Sequence, residues 1–159
     1  MLGIGGRSVG DLMDRRLTSK VGRSMTVRHT SHARFDLWYH FAWSTKYRYH
    51  VWKDPAKRES VKRLFIKIAE KYDMGIGTIE LLTDHVHFTL TAPPRIAPAR
   101  AAQILKSVST QAIFNWYPEL KRIYWGGECW VQGYFVRSVG LGLTKEQIDS
   151  YILEQAEEI

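Results

Sequence analysis

The amino-acid sequence predicts an α+β fold in which a four-stranded sheet carries two helices on one face. Three observations lead to this prediction. Aromatic and β-branched stretches of strand length alternate with longer stretches whose apolar residues recur at helical spacing. Read in chain order, these stretches give β-α-β-β-α-β, which is the split βαβ, ferredoxin-like arrangement. One more helix, at the C-terminal end, is predicted to follow the last strand.

The first half of the predicted fold consists of a strand, a helix and a second strand. Residues 35–45 are aromatic-rich and alternate like a buried strand. Asp54 can cap a helix that has Pro55 in its first turn. The inward stripe of this helix is predicted to contain Val61, Leu64, Phe65, Ile68, Ala69 and Tyr72. Residues 75–82 are predicted to form the second strand, which a tight turn joins to the third.

The third strand and the second helix follow. Residues 84–90 alternate between polar and apolar side chains, and Pro93 and Pro94 end this strand. A helix is predicted over about residues 97–116, where Pro118 bounds it. The residues predicted to face inward from this helix are Ala101, Ile104, Leu105, Val108, Ala112, Ile113 and Trp116.

The C-terminal part of the chain is predicted to be a strand, a flexible turn and a helix. Residues 129–137 are aromatic and β-branched and are predicted to form the fourth strand. Gly140 and Gly142 lie in the turn. Residues 144–147 have the Thr-x-x-Gln form of a capping box, so a final helix should begin there and run towards Glu157.

Charge and composition divide the chain into two parts. The chain has 159 residues and a net charge of +7, of which residues 1–34 carry +5 through seven Arg or Lys against two Asp. This segment is rich in Gly and Ser and lacks periodicity, so it is predicted to be a basic flexible arm. Met25 offers a later natural start. Residues 35–159 are predicted to form one domain.

The single cysteine, Cys129, excludes an intramolecular disulfide and a cysteine-based zinc site. Neither a signal peptide nor an apolar run long enough to span a bilayer is recognised in the sequence. These observations predict a soluble, cytoplasmic protein with no membrane partner.

Two histidines on the third strand form a candidate metal site. Alternate side chains of a strand share a face, so His85, His87 and Thr89 point one way, with the imidazoles about 7 Å apart along the strand. In the predicted topology the first and third strands are neighbours, which puts His40 on the same face. The two helices pack on the other side of the sheet, so this face is predicted to be free. Taken alone, a His-x-His pair is also common among strand histidines that bind no metal.

The final helix carries a second chemical pair. Tyr151 and Gln155 are four residues apart, so they are neighbours on one helical face, and Ile148 and Ile152 form an adjacent apolar edge. Two imidazoles and an amide oxygen can hold a divalent ion, with a phenol beside it. Tyrosine has a free pKa of about 10, so it needs a nearby cation or base and a polarised electrophile to act as a nucleophile. Phosphodiester cleavage fits this logic.

Basic side chains supply candidate nucleic-acid contacts. In residues 46–53 cations and aromatic rings interleave, which suits both phosphate contact and base stacking and equally suits a loop that caps the core. The first predicted helix carries further cations on its outer face. The candidate DNA-binding residues are Lys46, Arg48, Arg58 and Lys62.

The motifs together resemble a known family. The segment Asp84 to His87, the Tyr47-Arg48 pair, the Trp-Gly-Gly turn at 125–127 and the segment 151–155 resemble the small single-tyrosine HUH transposases of the simplest bacterial and archaeal insertion sequences, the IS200-like family. The resemblance covers roughly residues 35–157.

This resemblance implies an HUH endonuclease palm, similar to an RRM, whose C-terminal helix carries the tyrosine. It implies a metal-dependent enzyme that cleaves and transfers single-stranded DNA at hairpin-containing element ends through a 5′-phosphotyrosine intermediate. His85, His87 and Gln155 would be ligands of Mg²⁺ or Mn²⁺, and Tyr151 the nucleophile.

Members of the family are homodimers. In this chain the candidates for contact across the two-fold axis are Trp38, Phe135 or neighbouring strand residues. The basic arm departs from the compact family pattern.

Two alternatives stay open. One is a domesticated relative that processes repeat hairpins without an element of its own. The other is a non-catalytic module, because the same βαββαβ fold binds single-stranded nucleic acid through aromatic side chains of its sheet. A metal requirement for cleavage separates the enzyme from the binding module.

Overall fold

The computed structural model describes residues 28–29, 31–139 and 145–157. The helices and strands of this described part follow one another along the chain, with a single 3₁₀ turn at Lys46–Arg48. In chain order the elements are β1 (Arg28–His29), β2 (Arg34–Phe35), β3 (Trp38–Ser44), α1 (Pro55–Lys71), β4 (Gly75–Leu81), β5 (His85–Thr91), α2 (Pro98–Trp116), α3 (Pro118–Ile123), β6 (Phe135–Ser138) and α4 (Lys145–Glu157).

The main sheet has the strand order β4-β5-β3-β6, and every neighbouring pair is antiparallel. The central pair is β3 and β5, whose register runs from Trp38 opposite Thr91 to Ser44 opposite His85. Helix α1 connects β3 to β4, whereas α2 and α3 lie between β5 and β6. The predicted combination of helices with an antiparallel sheet is confirmed.

The core lies on the face of the sheet that packs against α1 and α2. Phe41, Phe88 and Phe65 are all fully buried there, and the rings of Phe41 and Phe88 stack with centroids 5.4 Å apart. Burying one such side chain contributes about 1.5 to 3 kcal/mol. Because side chains alternate between the two faces of β3 and β5, the histidines of these strands lie on the face opposite the core.

The predicted start of α1 is confirmed, whereas one inward residue of α2 is wrong. Asp54 Oδ1 accepts a hydrogen bond from the Ala56 amide at 2.9 Å, and Pro55 occupies the first turn. Trp116 was predicted to face inward but is 48% exposed, because it is the last residue of α2. Pro118 does not simply bound α2. It opens the short helix α3.

The fourth strand is shorter and later than the predicted 129–137. Only β6 pairs with β3, while the preceding segment makes an isolated bridge between Trp130 and Thr45. Lys106 Nζ donates to the carbonyls of residues 131, 132 and 133 at 2.7, 2.9 and 2.6 Å. These carbonyls accept hydrogen bonds from a side chain of α2 rather than from a neighbouring strand, so the segment has the composition of a strand but pairs only at the one bridge.

The open face of the sheet was predicted to be free, but α4 covers part of it. Ile148 and Ile152 of α4 are 4% and 0% exposed against β4 and β5. Trp38 was predicted as a contact across a dimer axis. It is instead buried on its own chain, with Lys145 Nζ 4.6 Å from the centre of its ring.

Some predictions concern residues outside the described part. These include most of the basic arm with Met25, the glycines at 140 and 142, and Thr144 of the capping box. The last residues of the predicted arm do form structure, since β1 pairs with β2 and Arg28 donates to the Asp73 carboxylate at 2.7 Å. Within the described residues, no helix is long and apolar enough to cross a membrane.

Candidate metal and nucleophile site

His85 and His87 share the open face of the sheet, as the alternation of β5 predicts. Their ring centroids are 4.8 Å apart, and both side chains are half-buried. Between them Val86 is fully buried in the core. Because the core holds the apolar residues of the strand, the two imidazoles are fixed side by side on its other face.

Both imidazoles use Nδ1 for contacts within the protein. His85 Nδ1 lies 2.7 Å from Asp84 Oδ1, and His87 Nδ1 lies 3.4 Å from His40 Nε2. Arg48 in turn contacts the Asp84 carboxylate at 3.3 Å. Partners of this kind orient a histidine and select its tautomer, and they leave Nε2 of both rings for a ligand.

The charge state of the site follows from its burial. Burial, and then the charge of Arg137, lowers the pKa of His40 to about 4. Burial, and then the charges of His85 and His40, lowers the pKa of His87 to about 4. Burial alone raises the pKa of Asp84, but its hydrogen bonds with His85 and Arg48 outweigh this and hold the pKa below its ordinary value. His87 is thus neutral at pH 7, as a metal ligand must be.

Tyr151 extends from α4 over these histidines. Its ring centroid is 6.0 Å from that of His87 and 6.3 Å from that of His40, and the side chain is 46% exposed. A cavity of about 440 Å³ opens beside it, and Arg137 and Phe135 of β6 line its other side. Tyrosine, imidazole and guanidinium groups therefore face one solvent-accessible space.

Gln155 lies one turn after Tyr151 on α4 and is half-buried. Within the described residues no hydrogen bond joins it to His85 or His87. No cluster of three His, Cys, Asp or Glu is found in that part of the chain either. Two imidazoles with a neutral amide fit a divalent ion that keeps open positions, and this donor set suits Mn²⁺ better than Mg²⁺, which prefers oxygen ligands.

The family follows from a match that covers most of the chain. The family model described as "Transposase IS200 like" matches residues 33–155. The chain belongs to the IS200-like transposase family.

Two individual relatives support this family assignment. The ISDra2 transposase TnpA of Deinococcus radiodurans is 34% identical over 121 residues, which are 76% of this chain and 85% of the relative. The transposase for insertion sequence element IS200 of Salmonella typhimurium is 31% identical over 128 residues, 80% of this chain and 82% of the relative.

Two solved structures are similar to this chain. A Deinococcus radiodurans R1 protein assigned as a transposase has a TM-score of 0.65 at 31% identity, covering 80% of this chain and 97% of that one. A REP-associated tyrosine transposase bound to a REP hairpin has a TM-score of 0.50 at 14% identity, covering 80% of this chain and 68% of that one. The second likeness concerns the fold alone.

A buried polar cluster fixes the tyrosine helix of this transposase on the sheet. Lys145 Nζ donates to Asp149 Oδ2 at 2.8 Å, and Thr89 Oγ1 of β5 lies 3.4 Å from Asp149 Oδ1. We call Lys145, Asp149 and Thr89 the α4 anchor. Gly77 of β4 makes room for it, because a Cβ there would lie 2.7 Å from Thr89 Oγ1 and 2.9 Å from the Trp38 ring.

The predicted DNA-binding residues lie at separate places and already have partners. Lys46 pairs with Glu128 at 3.4 Å and Arg48 with the Asp84 carboxylate. Arg58 donates to the backbone carbonyls of residues 52 and 53. Lys62 pairs with the carboxylates of residues 59 and 80. Their contact with DNA stays a prediction.

Sequence reasoning missed Arg137 and the α4 anchor. Arg137 lies directly opposite His40 in the pairing of β6 with β3, which puts it on the histidine face. The sequence signal was its two-residue spacing from Phe135, which lines the same cavity. No comparable signal marks Asp149, because its partner Thr89 is 60 residues away.

Proposed function

We propose that this IS200-like transposase cleaves single-stranded DNA at hairpin-containing element ends and transfers the strand through a 5′-phosphotyrosine intermediate formed by Tyr151. The observation that carries the proposal is the position of the Tyr151 ring, 6.0 Å from that of His87, at a cavity that Arg137 also lines. Of the tyrosines in the described residues, Tyr151 alone lies on the terminal helix over the histidines.

The proposed fold is the ferredoxin-like palm with one added helix. The strand order β4-β5-β3-β6 supports it, because a βαββαβ chain of this type has its first and third strands in the centre. β3 and β5 are those central strands. Their shared face holds the imidazoles, and α4 would be the helix that brings the nucleophile to them.

His85, His87 and Gln155 are the proposed ligands of Mg²⁺ or Mn²⁺. When bound, such an ion neutralises negative charge that develops on a non-bridging phosphate oxygen. Asp84 and His40 support the two histidines through Nδ1, at 2.7 and 3.4 Å. The contribution of the protein is therefore two imidazoles that are already oriented, which lose little freedom when a ligand binds.

The chemical step exchanges one phosphoester for another. The Tyr151 oxygen bonds to phosphorus as its phenol loses a proton, and the bond from phosphorus to the 3′ oxygen breaks. The leaving oxygen takes up a proton and becomes a free 3′-hydroxyl. Because the phosphotyrosine bond keeps the energy of the original ester, another 3′-hydroxyl can reverse the step. Arg137 would contact the phosphate at the open side of the cavity.

Hairpin DNA is the proposed ligand and a homodimer the proposed assembly. Hairpin binding is supported by the REP-associated tyrosine transposase, which has a similar fold and is bound to a REP hairpin. Phe135 supports the homodimer, because it is 46% exposed on the edge strand β6, where sheet surfaces commonly pair.

The decisive experiment compares Tyr151→Phe with Tyr134→Phe. Both changes remove one phenolic oxygen from a partly exposed ring, at 46% and 40% exposure. Each variant is incubated with labelled single-stranded hairpin oligonucleotides from the ends of the element, with and without Mn²⁺, and run on a denaturing gel. We expect Tyr151→Phe to lose both cleavage and the covalent adduct, and Tyr134→Phe to keep both.

Three results would contradict the proposal. An SDS-stable adduct formed by Tyr151→Phe would assign the nucleophile to another residue. Cleavage without any adduct would indicate hydrolysis by water. If the unaltered protein binds the hairpin but shows no metal-dependent cleavage, the protein is a non-catalytic binding module.

A further inference from the structure

Three large aromatic side chains remain exposed where β3 ends. Trp125 is 87% exposed, Tyr47 is 63% exposed and Tyr49 is 46% exposed. We call these three residues the aromatic surface. Most tryptophans of the described chain are buried, so an indole this accessible to water is not explained by core packing.

The aromatic surface is built from two loops that the backbone holds together. The Lys46 amide donates to the Cys129 carbonyl at 2.8 Å, and the Tyr49 ring stacks on the buried Tyr124 ring with centroids 5.9 Å apart. The Gly127 amide donates to the Tyr124 carbonyl at 2.9 Å, which closes a tight turn with Trp125 near its tip. The backbones of both loops and the Tyr49 ring are thus held in place by the structure beneath them.

The first loop adopts a costly backbone conformation. Tyr47 and Arg48 have φ angles of 61° and 53°, in the left-handed region that non-glycine residues rarely occupy. A loop free to relax would avoid two such residues in succession. Tyr47 is nevertheless exposed, so this backbone conformation directs its ring towards solvent rather than into the core.

The same loop adjoins the metal and nucleophile site. Ser44, the last residue of β3, pairs with His85, and the Thr45 amide donates to the Asp84 carbonyl at 2.8 Å. Arg48 contacts the Asp84 carboxylate with Nε and Nη2, and its side chain is 71% exposed, so its remaining donors face water. A strand that leaves the cavity past His85 would therefore meet this loop.

We propose that the aromatic surface is a stacking site for unpaired DNA bases that continue from the strand held at the catalytic site. The inference rests on the proposed function. Exposed rings with interleaved cations match a single strand, whose bases present flat faces and whose phosphates are anionic. Lys46 lies 5.6 Å from the Tyr47 ring centre and Arg48 adjoins it. A second copy of the chain is the less suitable occupant, because cores of protein interfaces are depleted in lysine.

The test measures binding of a ten-nucleotide thymidine strand and of an abasic strand of equal length by fluorescence anisotropy. Trp125→Ala is expected to weaken binding of the thymidine strand about tenfold, as loss of one stacked base does. It should leave the abasic strand unchanged. Trp116→Ala is the matched control, because Trp116 is 48% exposed at the end of α2, and it should change neither affinity.

Several outcomes would overturn the inference. These are equal thymidine-strand affinity in Trp125→Ala and the unaltered protein, an equal loss for the abasic strand, or no binding of the thymidine strand at all. A change of mass in sedimentation on Trp125→Ala would assign the surface to contact between copies. The proposed function is tested separately by the Tyr151 adduct, so stacking without an adduct, or an adduct without stacking, tells which of the two is wrong.

Discussion

Asp149→Ala is expected to detach α4 from the sheet without unfolding the rest of the chain. The Asp149 carboxylate accepts from Lys145 Nζ at 2.8 Å, and the two side chains are 4% and 7% exposed. Removing the carboxylate leaves a buried ammonium without its counter-ion, which costs about 3 to 5 kcal/mol. At the lower value the population with α4 detached rises roughly a hundredfold, since about 1.4 kcal/mol corresponds to a factor of ten.

Replacing both charges should restore much of the docking. Burial raises the pKa of Asp149 above its ordinary value even though Lys145 is its neighbour, so desolvation outweighs the attraction within the pair. Apolar residues of similar volume can replace such pairs with little loss. We therefore expect Lys145→Met combined with Asp149→Leu to be far more stable in its docking than Asp149→Ala alone.

Hydrogen exchange measures this docking directly. Amides of α4 should exchange roughly a hundredfold faster in Asp149→Ala, while those of α1 keep their rates, because opening is local. Glu154→Ala is the control, since it removes an exposed carboxylate from the same helix. Unchanged exchange in α4, or equal acceleration in α1 and α4, would refute the role of the α4 anchor.

Three further predictions address the site and the assembly. His85→Ala and His87→Ala should abolish cleavage on a denaturing gel but keep hairpin binding, with Gln155→Ala milder because water can replace an amide ligand; equal loss of binding in all three would indicate a folding role. The pKa of His40 is lowered from 6.5 to about 4, chiefly by burial and then by Arg137, so its contribution to stability is present above pH 6.5 and is lost as the pH falls towards 4. Urea unfolding without metal should show the free energy of unfolding falling between pH 6.5 and 4, and falling less in His40→Gln, whereas an identical pH profile in both proteins would disprove it. Light scattering at micromolar concentration should give twice 18.5 kDa, and the monomer mass would argue against a dimer.

The sequence predicts the histidine face because its two-residue alternation has one physical cause. Val86, Phe88 and Leu90 are fully buried, so the residues between them must lie on the other face of β5. The helical stripe of α1 follows in the same way from Val61, Phe65 and their neighbours. Patterns set by burial against a single core are local, and they can be recognised in a single sequence.

The fourth strand could not be placed because composition reports burial and not pairing. Trp130 is 3% exposed and has the residue type of a strand, yet its segment makes only one isolated bridge, to Thr45 directly after β3. The Lys106 ammonium, which belongs to α2, donates hydrogen bonds to three successive carbonyls of that segment. These hydrogen bonds come from a helix that is distant in the sequence, so no local sequence pattern predicts them.

The position of the proposed nucleophile depends on residues that belong to no short motif. On α4 the buried positions are Lys145, Ile148, Asp149 and Ile152, which lie on one side of the helix. Fixing that side against β4 and β5 also fixes the rotation of the helix, because each residue turns it by about 100°. Tyr151 follows Ile148 by three residues, so the same rotation that buries the α4 anchor turns the phenol towards His87. A sequence that kept His-x-His and Tyr-x-x-x-Gln but lost the buried ion pair would keep the functional groups without their geometry.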